Sequence, residues 1–128
     1  MVQQITKGIK ISVASRFEGK LDNNSRQCYA FSYTISIENQ SKFTVQLVSR
    51  RWNIKDALNN TETVEGEGVV GVQPVLKPGE THTYSSGCLL KAPLGAMQGF
   101  YTMMNFDTAE YFKVAIPTFK LNAAFAMN

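Results

Sequence analysis

Reactive side chains are scarce in this chain of 128 residues, which holds one histidine, His82, and two cysteines, Cys28 and Cys88. Two thiols cannot build a four-cysteine zinc site. The lone imidazole has no serine or cysteine nucleophile motif beside it, so no catalytic signature of that kind is present. His82 lies in Thr81-His82-Thr83-Tyr84 and reads as a partly exposed strand residue. Long apolar runs are missing as well. Nothing approaches the ~20 residues that a membrane span needs, and Met1–Lys7 lacks the basic flank and apolar core of a secretory signal. Without an export route the cysteines read as two free thiols, buried or half-buried. The sequons that begin at Asn23, Asn39 and Asn59 then read as turn composition.

Charge of one sign is not concentrated. Thirteen Lys and Arg residues against ten Asp and Glu give +3. Their scatter argues against nucleic acid as a partner, and only Arg50-Arg51, with Lys55 nearby, makes a local concentration. The carboxylates Glu62, Glu65 and Glu67 lack the dense alternating oxygen ligands of a calcium loop, so no metal site and no cofactor are expected. The order Cys28…Trp52…Cys88 is that of an immunoglobulin domain. However, Trp52 lies too far from Cys28, and no Tyr-x-Cys corner precedes Cys88.

Helical periodicity is absent, and period-two alternation fills its place. Ile9, Ile11 and Val13 alternate with Lys10, Ser12 and Ala14. A polar turn is expected over Leu21–Ser25. From Cys28 to Glu38, Tyr29, Phe31, Tyr33, Ile35 and Ile37 share one face, with Ala30, Ser32, Thr34 and Ser36 on the other. The next strand, Thr44 to Ile54, starts with Val45 and Leu47 on one face and ends with Trp52 and Ile54 on the other. That switch predicts a bulge near Ser49-Arg50. A loop follows over Asp56–Asn60, with Thr61–Val64 returning. Thr81–Ser85 reads as a short strand and Ser86–Gly95 as irregular. The last hairpin is expected to pair Met97–Phe106 with Glu110–Ile116, ended by Pro117. Met97, Met103 and Met104 with Phe100, Tyr101 and Phe106 make it apolar on both faces, one for the core and one for a loop or a partner. Seven or eight short strands with regular turns predict an all-β antiparallel sandwich in one domain spanning residues 1–128.

The run Glu65-Gly66-Glu67-Gly68-Val69-Val70-Gly71 contains GxGxxG. A dinucleotide fingerprint needs a helix after it, and Pro74, Pro78 and Gly79 forbid one. Two readings stay open. Gly66, Gly68 and Gly71 either let the chain cross between sheets, or form a backbone nest for an anion, with Arg50 or Arg51 offsetting Glu65 and Glu67.

Leu47-Val48-Ser49-Arg50-Arg51-Trp52, the glycine run, Gln73-Pro74-Val75-Leu76-Lys77-Pro78-Gly79-Glu80 and Tyr84-Ser85-Ser86-Gly87-Cys88 together resemble the ApaG family. Gly95-x-Met97-x-Gly99-x-Tyr101 and Ile116-Pro117-x-Phe119-x-Leu121 fit it too, so the resemblance runs from about Gly8 to Leu121. Arg51 stands where the family commonly has histidine, and Leu89 where proline usually follows the cysteine. An arginine meets an anion but is no general base. The resemblance implies an immunoglobulin or fibronectin type III-like sandwich and a bacterial, cytoplasmic protein. It also implies links to cobalt resistance and magnesium efflux, a pyrophosphate-type site in the glycine run, and protein-binding roles in eukaryotic proteins that carry similar domains. The expected function is a non-enzymatic module, monomeric or homodimeric, that binds a protein partner through a sheet edge or face. Pyrophosphate or a nucleotide at Gly66, Gly68, Gly71, Arg50 and Arg51 is the alternative.

Overall fold

The computed structural model describes residues 1–23, 26–57 and 61–123. Among them there are nine strands and no helix: β1 (Val2–Thr6), β2 (Ile9–Asn23), β3 (Arg26–Asn39), β4 (Val45–Asp56), β5 (Glu62–Glu67), β6 (Val75–Leu76), β7 (Thr81–Leu90), β8 (Leu94–Asn105) and β9 (Tyr111–Asn122). One sheet has the order β1-β2-β3-β7. The other runs β5-β4-β8-β9, with β6 beside β4. All pairings are antiparallel, and the chain changes sheet between β3 and β4, before β7 and again before β8. The result is the expected sandwich. Nine strands stand where seven or eight were expected, and the two without a counterpart among the segments read as strands are the N-terminal β1 and the two-residue β6.

The alternation places the core. Ile9, Ile11 and Val13 of β2, Phe31, Tyr33, Ile35 and Ile37 of β3, and Val45, Leu47 and Trp52 of β4 are all buried. They meet Met97, Tyr101 and Met103 of β8 and Val114, Ile116, Phe119 and Leu121 of β9 in one apolar layer. Trp52 lies edge-on to Phe119 at 5.9 Å and beside Tyr33 of the opposite sheet at 5.6 Å. Asn39 is the one buried polar residue among those described, and its amide is fully used. Its Nδ2 donates to the Phe43 and Leu76 carbonyls at 2.7 and 2.9 Å, and its Oδ1 accepts from the Ser41 N–H and hydroxyl at 2.9 and 2.6 Å. The sequon at Asn39 is therefore a structural clamp between the sheets rather than mere turn composition.

Several boundaries differ from the expectation. The bulge in β4 falls at Val48, one residue before Ser49-Arg50, because Leu47 pairs Met103 while Ser49 pairs Thr102. Of the turn expected over 21–25, Leu21–Asn23 continue β2, and residues 24 and 25 lie outside the described residues, as do 58–60 of the next loop. Pro117 does not end β9, which runs on to Asn122. The strand keeps it because β9 is an edge and its register against β8 shifts at this point, where no ladder N–H is required. Nor is Ser86–Gly95 irregular: β7 continues to Leu90 and β8 begins at Leu94. Gly87 permits this, since a Cβ there would stand 2.8 Å from the Phe31 carbonyl oxygen of β3.

Candidate functional site

The two arginines share a strand and so point to opposite faces of it. β5 pairs with β4 so that Gly66 lies opposite Arg50, and Glu65 opposite Arg51. Arg50 turns inward. Its guanidinium covers Gly66, where a Cβ would come within 2.7–2.9 Å of it, and Nη1 donates to the carbonyls of Glu67 and Gly68 at 2.9 Å each. Arg51 turns outward and pairs with Glu65 at 3.4 Å. On that outer face Ser49, Arg51, Glu65, Glu67, Phe100 and Thr102 line a hollow of about 460 Å³, with Arg50 and Gly66 at its floor. Lys113 lies 4.6 Å over the Phe100 ring. On the outer apolar surface of the last hairpin, Phe100 is thus capped by a cation.

The glycine run divides into two parts. Gly66 is strand, and only Gly68 (φ 61°) and Gly71 (φ 80°) take the left-handed conformation. The Gly68 N–H donates to the Val48 carbonyl at 2.8 Å, an acceptor freed by the bulge and shared with the Gln73 side-chain amide. Val69 and Val72 exchange two hydrogen bonds, of 2.8 and 3.1 Å, around a tight turn with Val70 and Gly71 at its tip. Val70 holds φ 46° and is 64% exposed, in a conformation that a β-branched residue seldom takes. The structure therefore brings Gly66, Arg50 and Arg51 together. It sets Gly68 against β4 and leaves Gly71 apart at the turn tip.

A second feature lies on the other sheet and was missed by the strand reading. The described strands leave the sandwich four edges, and three carry devices that discourage a further strand. β1 is only five residues long; β5 carries Glu62, Glu65 and Glu67; β9 carries Pro117, Lys113, Lys120 and a register shift. β7 has none of these. Its ten residues, THTYSSGCLL, include no proline, lysine, arginine, aspartate or glutamate, and they pair with β3 in one unbroken register. Among the described strands only β3 neighbours it within its sheet. On its outer side hydroxyls make rungs with β3, Ser36 to Thr83 at 3.0 Å and Thr34 to Ser85 at 2.9 Å.

The inner side of β7 is half-buried. Tyr84 bonds the hydroxyl of the fully buried Tyr101, and burial holds both phenols well above the usual tyrosine range. Tyr33 is raised by the same cause. His82 stacks on Tyr84, and its Nε2 is buried with no hydrogen-bond partner. Cys88 and Cys28 are free thiols, as expected. Burial, and after it the charge of Glu62, pushes the Cys88 thiol up to about 11, which leaves it protonated and unreactive near neutrality. Among the described residues no group of three or more His, Cys, Asp or Glu side chains is placed to hold a metal ion, and no helix is long and apolar enough to cross a membrane.

Comparison with known proteins agrees with this geometry. Residues 19–105 match the family model described as the ApaG domain. Protein ApaG of Beijerinckia indica is 44% identical over 126 residues, covering 98% of this chain and 96% of its own. Protein ApaG of Vibrio cholerae is 45% identical over 120 residues, covering 94% of both. A crystal structure of a Bordetella pertussis protein described as ApaA is 39% identical, with a TM-score of 0.82 over 89% of this chain and 92% of that one. Since the match extends from the family model to the strands themselves, this chain belongs to the ApaG family.

Proposed function

We propose that this protein is a non-enzymatic interaction module that receives an extended segment of a partner protein along β7. The observation that carries this reading is the contrast among the edges: β7 alone, among the described strands, lacks charge, proline, shortness or a bulge. An edge strand presents a row of unpaired N–H and C=O groups. An incoming strand satisfies them whatever its sequence, while alternate side-chain contacts supply the selectivity. The hydroxyl rungs keep this edge wet and uncharged, so a guest strand meets no repulsion. The relatives bear no enzymatic name. In this reading the protein works in the cytoplasm, and any part in cobalt resistance or magnesium efflux runs through the partner.

Site-specific crosslinking tests the edge. A photoreactive residue at Ser85, exposed on β7, should give a discrete protein adduct in cells. The same residue at Lys120, exposed on the guarded edge β9, should give only diffuse labelling. Identical adduct patterns from the two positions would sink the proposal.

A further inference from the structure

β7 and β5 flank the same side of the sandwich. β1 and β2 pack against β9 at one side, so the orders β1-β2-β3-β7 and β9-β8-β4-β5 bring the other two edges face to face. Near the Leu90 end of β7 this opening widens into a hollow of about 380 Å³. Ile54, Leu89 and Leu90 give it aliphatic walls, and Asp56, Glu62 and Lys91 give it charge. The Asp56 carboxylate accepts the Lys91 backbone N–H at 2.7 Å. Glu62 is exposed, and its charge is felt by Cys88 across the opening. Two carboxylates against one ammonium leave the hollow formally negative.

Apolar walls below a carboxylate suit one kind of side chain, a long methylene stem with a cation at its tip. Resting on the edge reading above, the geometry points to a basic occupant: the segment that adds to β7 places a lysine or arginine in this hollow, its stem on Ile54, Leu89 and Leu90 and its charge at Glu62. A second copy of this chain fits less well. Pairing β7 with itself would bring two β5 edges together, and each carries Glu62, Glu65 and Glu67.

The test uses the full chain and three labelled ten-residue peptides of one alternating valine–threonine pattern. These carry lysine, glutamine or glutamate at the third position from each end, so that strand direction does not matter. Fluorescence anisotropy should rank them lysine, glutamine, glutamate. The lysine peptide should bind about tenfold tighter than the glutamine one, and the gap should shrink at high salt. Glu62→Gln, an exposed substitution, should bring the lysine peptide down to the glutamine level. Equal affinity for the lysine and glutamine peptides overturns the basic partner and leaves edge addition standing. Binding of none of the three overturns both. A dimer seen by sedimentation and lost in the double variant Thr83→Lys, Ser85→Lys would assign the edge to a second copy, and this inference would fall.

Discussion

Asn39 joins three pieces of chain with one residue. Its side chain holds the turn at Ser41 and Phe43 and the carbonyl of Leu76 in β6, while its backbone accepts from Gly79 and donates to Glu80 before β7. Asn39→Ala would leave the Leu76 and Phe43 carbonyls without that donor in a site where water does not reach Asn39. The expected cost is about 3 kcal/mol. Chemical denaturation should show a lower midpoint with an unchanged slope. A loss below 1 kcal/mol would mean that water replaces the amide. Asn39→Asp keeps the acceptor but sets a buried carboxylate oxygen against the Phe43 and Leu76 carbonyls, so at neutral pH it should cost at least as much as the alanine variant.

At the level of the element, β7 depends on the absence of a side chain at Gly87. The missing Cβ lets β3 and β7 approach, with the Phe31 carbonyl 2.8 Å from where it would stand. Gly87→Val should push the strands apart and destabilise the fold by about 1–3 kcal/mol. Hydrogen exchange should speed up over Thr81–Leu90 before it does over β8. Uniform acceleration across both sheets would show that β7 does not open by itself. Sequence periodicity made β2 and β3 legible because one of their faces is buried and the other wet. It failed for the second half of β7, where Ser85, Ser86 and Gly87 are all exposed and no alternation remains. Pro117 hid the end of β9 for a different reason, since only the sheet order reveals it as an edge residue at a register shift. The glycine run and the arginines were legible as neighbours. Which of the two arginines turns inward depends on the bulge falling at Val48, and that was not. Alternation from Ile35 and Ile37 carries the buried face on to Asn39, but nothing in the sequence names its partners, most of which are backbone atoms.

For the whole molecule, the buried acids set the response to pH. Cys88, Tyr33, Tyr84 and Tyr101 all lose their protons less readily in the fold than in the unfolded chain. The unfolded state therefore releases protons first as pH rises, and stability falls with pH in that window. The loss should begin near pH 9, the ordinary thiol range, as pH climbs toward the Cys88 value of about 11. It should steepen above pH 10, where unfolded tyrosines ionise. Melting temperatures measured from pH 7 to 11 should be flat at first and then decline. Cys88→Ser should remove the earlier part of the decline, and an unchanged profile in that variant would assign the whole effect to the phenols. The single tryptophan makes such measurements direct. Trp52 is 3% exposed, and its neighbours Tyr33 and Phe119 belong to opposite sheets. Its emission therefore acts as an internal optical gauge of the spacing between the layers. A red shift signals separation of the sheets, whereas a strand arriving at β7 should leave the colour of the emission unchanged, so loss of the fold and occupation of its edge can be told apart in one unlabelled sample.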